Sequence, residues 1–237
     1  MAAPEPREAP MSPERLARMK AVLARRQPDL TVVMDNVHKP HNLAAIVRTA
    51  DAVGIPVVHG VSPQAEFRMR QKSASGSGKW VRVQTHEDIA TCFGTLRDQG
   101  MRIYCAHLSE QAVDFRRIDF TRPTAVVVGA ELEGVGEQAA ALADGHVIIP
   151  MLGMVESLNV SVATAILLYE AQRQREAAGL YDNPRLDEET RARLLFEWSY
   201  PDIADYCRRK GLPYPALDED GTLAEPLADR DGARRLP

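Results

Sequence analysis

Between residues 30 and 178, short runs of β-branched and aliphatic residues alternate with helical stretches, and this alternation constrains the fold more than any other feature. The runs that we predict as strands are 30–34, 56–59, 81–84, 101–106, 124–128 and 146–149. The predicted helices are 42–53, 87–99, 136–143 and a long final helix, 157–178. Strands separated by helices pair in parallel, because each crossover helix returns the chain over a face of the sheet. We therefore predict an α/β fold, with a mostly parallel sheet and helices on both of its faces.

The two ends of the chain differ from this alternating region. Residues 1–11 contain three prolines and few apolar side chains, so we predict a disordered leader there. A serine, a proline and a glutamate at residues 12–14 are typical of a helix start, which predicts a helix within the segment 12–28. The remaining predicted parts are a central domain over 29–180, a helical extension over 181–215 and an acidic tail over 216–237.

Composition excludes several classes of protein. No run reaches the roughly 18 consecutive apolar residues of a membrane-spanning helix, and the first residues lack the apolar segment of a secretory signal. Cys92, Cys105 and Cys207 are odd in number and far apart, which argues against a disulfide framework or a cysteine zinc site. No Glu or Cys near His38 and His41 completes a ligand set, so we predict no metal ion. We expect a cytoplasmic protein without membrane contact.

The formal net charge of −4 conceals an uneven distribution. Residues 12–30 contain five basic and two acidic side chains, and residues 66–82 contain five basic and one acidic. The tail over 216–237 contains six acidic and three basic residues. Local basic patches of this kind suit a phosphate backbone, but an ordinary solvated surface explains them equally, so charge alone permits RNA binding without establishing it.

The segment from Asn36 to Gly54 joins the end of the first predicted strand to the following helix. Its polar groups therefore gather at the carboxyl edge of the sheet, where open α/β proteins bind ligands. Asn42 lies near the predicted helix start, so it either caps the helix or belongs to a site. Arg48 interrupts a helix of small apolar residues, and it either extends into solvent or meets an anion.

Two later segments have similar features. The strand 124–128 runs into Gly129 and Glu131, which suits a close ligand with a nearby hydrogen-bond acceptor, although a plain glycine turn is the alternative. The strand 146–149 enters a loop with proline and glycine, then a predicted helix that starts with Ser157, Asn159 and Ser161. Helix amino ends offer N–H groups to anions, and capping alone accounts for Ser157 better than for the other two.

Together the three segments resemble the three motifs of the SpoU branch of the SPOUT methyltransferases. The first motif, an asparagine followed six residues later by an arginine, resembles Asn42 and Arg48. The second, glycine-x-glutamate with a later glycine, resembles residues 129–134, and the third resembles 149–151 together with 157–163. The flanking sequences resemble those of family members that methylate guanosine 18 in the D-loop of tRNA.

This resemblance implies a fold detail that composition and periodicity do not reveal, a deep trefoil knot near the carboxyl end of the α/β domain. It implies S-adenosylmethionine as cofactor, held in the knot mainly by backbone groups. It also implies a homodimer whose active site is completed across the subunit interface, without a metal ion. The implied cofactor-binding residues are Ala106, His107, Leu108, Gly129, Glu131, Ile149, Met151 and Leu158.

The implied reaction transfers a methyl group to the ribose 2′-hydroxyl of guanosine 18 in tRNA. Arg48 is the implied acceptor of the hydroxyl proton, although a guanidinium pKa above about 12 also leaves it the role of orienting the hydroxyl and a phosphate. Asn42 is expected to position Arg48 or the ribose, and Glu131, Ser157 and Asn159 are expected to shape the pocket. The residues expected to bind RNA are Arg25, Arg26, Arg68, Arg70, Lys72, Arg208, Arg209 and Lys210.

Two alternative functions stay open at this point. One is a related enzyme that methylates ribosomal RNA or another tRNA nucleotide, against which the flanking sequences argue. The other is an RNA-binding module without catalysis, against which the intact Asn42, Arg48, Glu131, Ser157 and Asn159 argue. A nicotinamide-binding protein is excluded, because no G-x-G-x-x-G follows the first predicted strand.

Overall fold

The computed structural model describes residues 11–62, 79–131 and 133–224. The chain divides into two compact units, one that joins residues 1–25 to residues 186–237 and one that comprises residues 26–185. The N-terminal helix and the C-terminal extension, which we predicted as separate segments, therefore belong to a single unit.

The larger unit contains a seven-stranded sheet whose pairings within the described residues are all parallel. The strands are β1 (Leu30–Asp35), β2 (Val57–Val61), β3 (Arg82–His86), β4 (Arg102–Ala106), β5 (Val113–Asp114), β6 (Thr124–Gly129) and β7 (Gly145–Ile148). Their order across the sheet is β3-β2-β1-β6-β4-β7-β5. The predicted parallel sheet is confirmed. Strand β5 was not predicted, because two residues are too few to leave a periodic signal.

Helices cover both faces of this sheet. The helices α2 (Pro40–Ala52) and α5 (Val160–Ala177) pack on one face, and α3 (Ile89–Asp98) and α4 (Glu137–Leu142) pack on the other. Successive residues of a strand point to opposite faces, so every residue of β1 and β6 is buried between the two helical layers. None of the helices in the described residues has both the length and the apolar character that crossing a membrane requires.

The smaller unit contains three helices among its described residues, α1 (Pro13–Ala24), α6 (Glu188–Ser199) and α7 (Pro201–Lys210). Helix α1 begins as predicted, with the Ser12 hydroxyl accepting a hydrogen bond from the Arg15 amide at 3.3 Å. It packs on α6, where the Phe196 ring stacks on Tyr214 at 4.8 Å between centroids. The first part of the predicted acidic tail is folded here, with a bridge between Leu217 and Leu223.

The four α-helices described in the larger unit all begin one to three residues away from the predicted starts, and two of these shifts involve predicted site residues. Helix α2 begins at Pro40 with Lys39 at the N-cap, so Asn42 is a buried residue of the first turn and not a cap. Helix α5 begins at Val160, three residues after Ser157, and its N-cap is Asn159, whose Oδ1 accepts from the Ser161 amide at 2.9 Å. The prediction that Ser157 belongs to the helix is wrong, because the side chain that caps the helix comes two residues later.

Candidate active site

Strands β1 and β6 lie side by side in the sheet, and the helices that follow them pack on opposite faces. Asp35 at the end of β1 is in register with Gly129 at the end of β6, so both strands end at the same level. Where the helices after two neighbouring strands pack on opposite faces, a crevice opens beyond the strand ends. Ligands bind in such crevices in open parallel sheets. The first and second motifs thus lie on the two sides of one crevice.

Four polar side chains meet in this crevice, and we refer to them as the Glu131 cluster: Lys39, Asn42, Glu131 and Asn159. The Oε1 atom of Glu131 accepts hydrogen bonds from Asn42 Nδ2 and, at 3.1 Å, from Asn159 Nδ2. Its Oε2 atom forms an ion pair with Lys39 Nζ. Asn159 Nδ2 also lies 3.3 Å from Asn42 Oδ1. The cluster therefore joins one residue from each of the three motifs, and it adds Lys39.

The local structure orients each member of the cluster. Asn42 is only 2% exposed, so its amide needs hydrogen-bond partners inside the protein, and Glu131 and Asn159 supply them. The N-cap of α5 occupies the Oδ1 atom of Asn159, which leaves the Nδ2 group to donate to Glu131. Lys39 places a cation beside the Glu131 carboxylate, and its side chain is half-exposed. Sequence reasoning missed Lys39, although it lies within the first quoted segment.

The second motif forms a tight turn that explains its glycines. The Gly134 amide donates to the Ala130 carbonyl at 2.8 Å, and Gly134 has a φ of +68°. A Cβ atom at Gly129 would lie 1.9 Å from the Gly134 carbonyl oxygen, so the approach of its own loop already requires glycine there. The geometry of the turn thus accounts for glycine at 129 and 134, while Glu131 within the same turn belongs to the cluster.

A second anchor holds this turn against the end of β1. The Asp35 carboxylate accepts a hydrogen bond from the Gly136 amide at 2.8 Å and another from Asn36 Nδ2 at 3.0 Å. Burial raises the pKa of Asp35. Asn36 has a φ of +54°, a left-handed conformation that asparagine tolerates better than most residues. Sequence reasoning also missed Asp35, because a strand-end aspartate has no distinguishing pattern around it.

A cavity of about 830 Å³ adjoins the cluster. Its walls come from the loops after β4, β6 and β7 and from the first turns of α5, and they are more apolar than polar. Ser157 also lines the cavity, and Glu131 belongs both to its wall and to the Glu131 cluster. All eight residues expected to bind the cofactor line it: Ala106, His107, Leu108, Gly129, Glu131, Ile149, Met151 and Leu158.

A hydrogen-bonded histidine holds the loop after β4 at the cavity. Ser109 Oγ lies 2.7 Å from His146 Nδ1, and His146 Nε2 donates to the Ala140 carbonyl at 2.9 Å. The donation from Nε2 leaves Nδ1 as the acceptor, so the Ser109 hydroxyl donates to it. This hydrogen bond fixes Ser109, the residue after Leu108. Leu108 itself is 81% exposed at the rim of the cavity.

Several other predicted site residues are not members of the Glu131 cluster. Arg48 is exposed on α2, and its guanidinium makes no hydrogen bond or ion pair with another residue in the described part of the chain. Arg25, Arg208, Arg209 and Lys210 are exposed on the smaller unit. Arg68, Arg70 and Lys72 lie outside the described residues.

The prediction that Arg26 binds RNA is wrong. Its side chain is fully buried and forms an ion pair with Asp51 at 2.7 Å. It also donates to the carbonyl oxygens of Ile55 at 3.2 Å and of Trp80 at 3.0 Å. Adjacent arginines in the sequence thus have opposite environments, and only Arg25 reaches the surface.

The parallel sheet, the crevice at its switch point and the adjoining cavity define an α/β protein with a ligand site at its strand ends. The chain matches the model of the SpoU rRNA methylase family over residues 29–169 and that of the SpoU rRNA methylase C-terminal region over residues 173–226. It therefore belongs to the SpoU methylase family.

Relatives and solved structures agree with this assignment. The chain is 54% identical over 215 residues to the tRNA (guanosine(18)-2′-O)-methyltransferase of Escherichia coli K12, covering 90% of this chain and 94% of the relative. The crystal structure of the Aquifex aeolicus TrmH/SpoU tRNA modifying enzyme is similar, with a TM-score of 0.73 and 44% identity, over 80% of this chain and 97% of that one. An AdoMet-bound rRNA methyltransferase from Sinorhizobium meliloti has a TM-score of 0.56 and 29% identity, over 65% and 59% of the two chains.

Proposed function

We propose that this protein transfers a methyl group to the ribose 2′-oxygen of guanosine 18 in tRNA. The observation that carries the proposal is the dual position of Glu131, in the wall of a ligand-sized cavity and in a polar cluster from all three motifs. The similarity to an E. coli enzyme named for this activity extends over 90% of the chain, including the segments outside the motifs, which supports tRNA rather than ribosomal RNA as the substrate.

We assign the cavity to S-adenosylmethionine. Its volume of about 830 Å³ lies within the roughly 300–1,000 Å³ typical of small-molecule pockets. Leu108 and Leu158 contribute apolar surface suited to a purine ring, and Gly129 and Gly134 of the second motif line the cavity together with Glu131. When bound, S-adenosylmethionine supplies a methyl group on a sulfonium that is already a good leaving group, so the reaction needs no metal ion. The AdoMet-bound relative supports this cofactor.

We assign the Glu131 cluster to the acceptor ribose. Glu131 lies at the junction of the cavity and the crevice, so a nucleotide held there has its 2′-oxygen close to the donor cavity. Asn42 and Asn159 fix the carboxylate through two hydrogen bonds, and Lys39 balances its charge. Fixed polar groups of this kind help by holding the reacting atoms in line. Ser157, at the cavity wall, is available to contact a substrate phosphate.

Arg48 is proposed to act on the hydroxyl of the acceptor. It accepts the 2′-hydroxyl proton or orients the hydroxyl and a phosphate, and the second role agrees better with a guanidinium that stays protonated. Because Arg48 does not contact the Glu131 cluster within one described chain, we propose that the site is completed in a homodimer. The trefoil knot expected for the family remains a prediction.

The surface of α5 supports the proposed homodimer. Val162 and Tyr169, seven residues apart on one helical face, are 47% and 53% exposed. Leu152 and Met154, in the loop before α5, are almost fully exposed. Large apolar side chains grouped on a surface are typical of an interface. A dimer formed there would border the cavity, which this same loop lines.

We propose a cytoplasmic location and a tRNA surface that includes Arg25, Arg208, Arg209 and Lys210. These four side chains are exposed, and phosphate contacts from such residues weaken as salt rises. The predicted contacts from Arg68, Arg70 and Lys72 stay part of the proposal.

The test uses the full-length protein, methyl-labelled S-adenosylmethionine and unmodified tRNA transcripts. We expect label in the 2′-O-methyl group of guanosine 18, and none in a transcript whose guanosine 18 already has a 2′-O-methyl group. Arg48→Ala should abolish transfer, while Arg102→Ala, an exposed arginine at the amino end of β4, should retain it.

Other results of this labelling experiment would each indicate a different function. Label at another tRNA position or only in ribosomal RNA would keep the methyltransferase and discard guanosine 18. RNA binding without transfer to either RNA would indicate a module without catalysis.

A further inference from the structure

Two histidines and a cysteine from three different elements meet on the α3 side of the sheet. His59 is in β2, His86 is in β3 and Cys92 is in the first turn of α3. Val61 pairs with His86 across the two strands, and His59 lies two residues before Val61, so the two histidines point to the same face. These three residues take no part in the Glu131 cluster or the cavity wall.

The three side chains offer ligand atoms at short range. His59 Nδ1 lies 2.9 Å from His86 Nε2, and one ligand atom from each residue lies within 4.8 Å of the other two. A tetrahedral zinc ion, with Zn–N of about 2.0–2.1 Å and Zn–S of about 2.3 Å, separates its ligand atoms by about 3.4–3.6 Å. Side-chain movements on the order of 1 Å therefore convert this arrangement into three corners of a zinc tetrahedron.

Burial favours a dedicated site over surface binding. His59 is 3% exposed, His86 is 9% exposed and Cys92 is fully buried. Burial also lowers the pKa of His59 to about 4, so its imidazole is neutral at physiological pH and has a lone pair to offer. Burial likewise lowers the pKa of His86. Two imidazoles and one thiolate are a donor set that zinc accepts.

We propose that His59, His86 and Cys92 form a binding site for one zinc ion, with water as the fourth ligand. On binding, the S–H bond of Cys92 breaks, its proton goes to solvent and the thiolate sulfur bonds to the metal. The ring proton shared between the two histidines moves to the outer nitrogen of its own ring, so both imidazoles stay neutral and each donates a lone pair. No electron is transferred in this exchange.

The expected role is structural. Strand β3 is the edge strand of the sheet, paired only with β2 among the described strands. An ion held by β2, β3 and α3 links this edge strand to its neighbour and to the helix above it. Metal bonds of this kind contribute directly to folding stability.

Neighbouring charges give the site a defined pH dependence. Burial raises the pKa of the Cys92 thiol to about 12, and the nearby carboxylates of Asp35 and Asp88, which would favour a cation, raise it further. At His59, burial, His86 and Arg82 all disfavour a protonated ring. Because one thiol proton leaves per zinc bound, the apparent affinity should rise with pH.

Cys105 provides a matched control. It is also a fully buried thiol whose pKa burial raises to about 12, and it belongs to the same apolar layer as Cys92. Its Sγ donates to the Ala139 carbonyl at 3.5 Å, and Cys105 is not part of the histidine group. Cys92→Ala and Cys105→Ala thus remove the same atom from similar surroundings.

The experiment titrates zinc into reduced, chelator-stripped full-length protein against a chromophoric competitor. We expect one zinc ion per chain, with a thermal unfolding midpoint several degrees higher when zinc is bound. Cys92→Ala should weaken binding by at least about 100-fold, since changes outside the ligand set alone cost about 10–100-fold, and Cys105→Ala should leave it unchanged. Cobalt in place of zinc should produce a thiolate-to-metal absorption band in the wild type and in Cys105→Ala only.

Three results would overturn the proposal: no zinc bound by the wild type at equimolar concentration, equal affinity in Cys92→Ala, or a cobalt complex without the thiolate band. If Cys92→Ala does not fold, His86→Gln on the edge strand serves instead, and it should weaken binding to a similar degree. These readouts do not depend on methyl transfer, so they stand or fall separately from the proposed function.

Discussion

At the scale of single residues, Lys39 shows how one charge can orient a site. Glu131 accepts two amide hydrogen bonds on one oxygen, and Lys39 pairs with the other. Without the lysine, the second oxygen has no cation beside it, and the carboxylate gains freedom to turn out of the crevice. Charge-assisted hydrogen bonds are about twice as strong as neutral ones, so this contact matters for orientation.

We predict that Lys39→Met lowers kcat at least about tenfold, because misplacement of a positioned group by a small distance costs up to about 100-fold in rate. Lys39→Arg, which keeps the cation, should restore most of the rate. Initial rates of methyl transfer at saturating tRNA measure both variants. Equal rates for wild type and Lys39→Met would show that the ion pair has no part in positioning Glu131.

Arg175 is the clearest case of a charged residue used inside the fold. Its side chain is fully buried in α5, and it donates five hydrogen bonds, which matches the five N–H groups of a guanidinium. The acceptors are the carbonyl oxygens of Phe120, Asp29 and Arg122 and the side chains of Gln27 and Asp29. These contacts tie the helix to the segments that immediately precede β1 and β6.

We predict that Arg175→Met lowers the free energy of unfolding by about 3–5 kcal/mol, because it leaves buried acceptors without a donor. Urea unfolding followed by circular dichroism measures the loss. The control is Arg173→Ala, an exposed residue of the same helix paired with Glu170, for which the free energy of unfolding should change little. Similar losses in the two variants would contradict the structural role assigned to Arg175.

At the scale of elements, two helix caps allow an effect on stability to be distinguished from an effect on activity. Asn159 caps α5 and also donates to Glu131, whereas Asp187 caps α6 through the Thr190 amide at 2.7 Å and is not a member of the Glu131 cluster. Both caps satisfy N–H groups that a helix start otherwise leaves unpaired. The two positions therefore allow the loss of stability from a missing cap to be separated from the loss of activity from a missing site residue.

We predict that Asn159→Ala and Asp187→Ala each lower the free energy of unfolding by a similar, modest amount, because each removes a helix cap. Only Asn159→Ala should also reduce methyl transfer, because it removes a donor to Glu131. Unfolding curves and transfer rates at a temperature well below the midpoint separate the two effects. Full activity in Asn159→Ala would assign this residue to the helix cap alone.

The elements also show where sequence reasoning succeeds. Long periodic segments such as α3 and α5, and apolar runs such as β1 and β6, were predicted as elements of the correct type with boundaries shifted by a few residues. The shift at α5 arises because Ser157, Asn159 and Ser161 are all residue types that suit an N-cap, and only the folded loop shows that Asn159 takes this position. Helix α2 begins at Pro40 with Lys39 at the N-cap and without a side-chain cap, so its start left no capping signal in the sequence.

At the scale of the whole molecule, the proposed homodimer is the feature to test, because it depends on contacts between two chains. The α5 face with Val162 and Tyr169 would be covered in the proposed homodimer. Introducing charges there opposes burial, because an unpaired buried charge is costly.

We predict that the double variant Val162→Asp with Tyr169→Asp shifts the protein from dimer to monomer and abolishes methyl transfer. Light scattering after gel filtration gives the mass, and the transfer assay gives the activity. Leu142→Asp, a partly exposed leucine on the opposite face of the sheet, should change neither. A double variant that stays dimeric would move the interface away from α5.

The sequence by itself determined the parallel α/β class, the order of most elements and the three segments that carry the site, because periodicity and motif spacing are local along the chain. Tertiary structure decided which polar groups meet. Lys39 next to Glu131, Arg26 buried beside Asp51, and His59 with His86 and Cys92 all depend on contacts between residues distant in the chain. Such contacts arise only when strands take their places in the sheet, and there the position of a charge or a ligand atom follows from packing and not from its sequence neighbours.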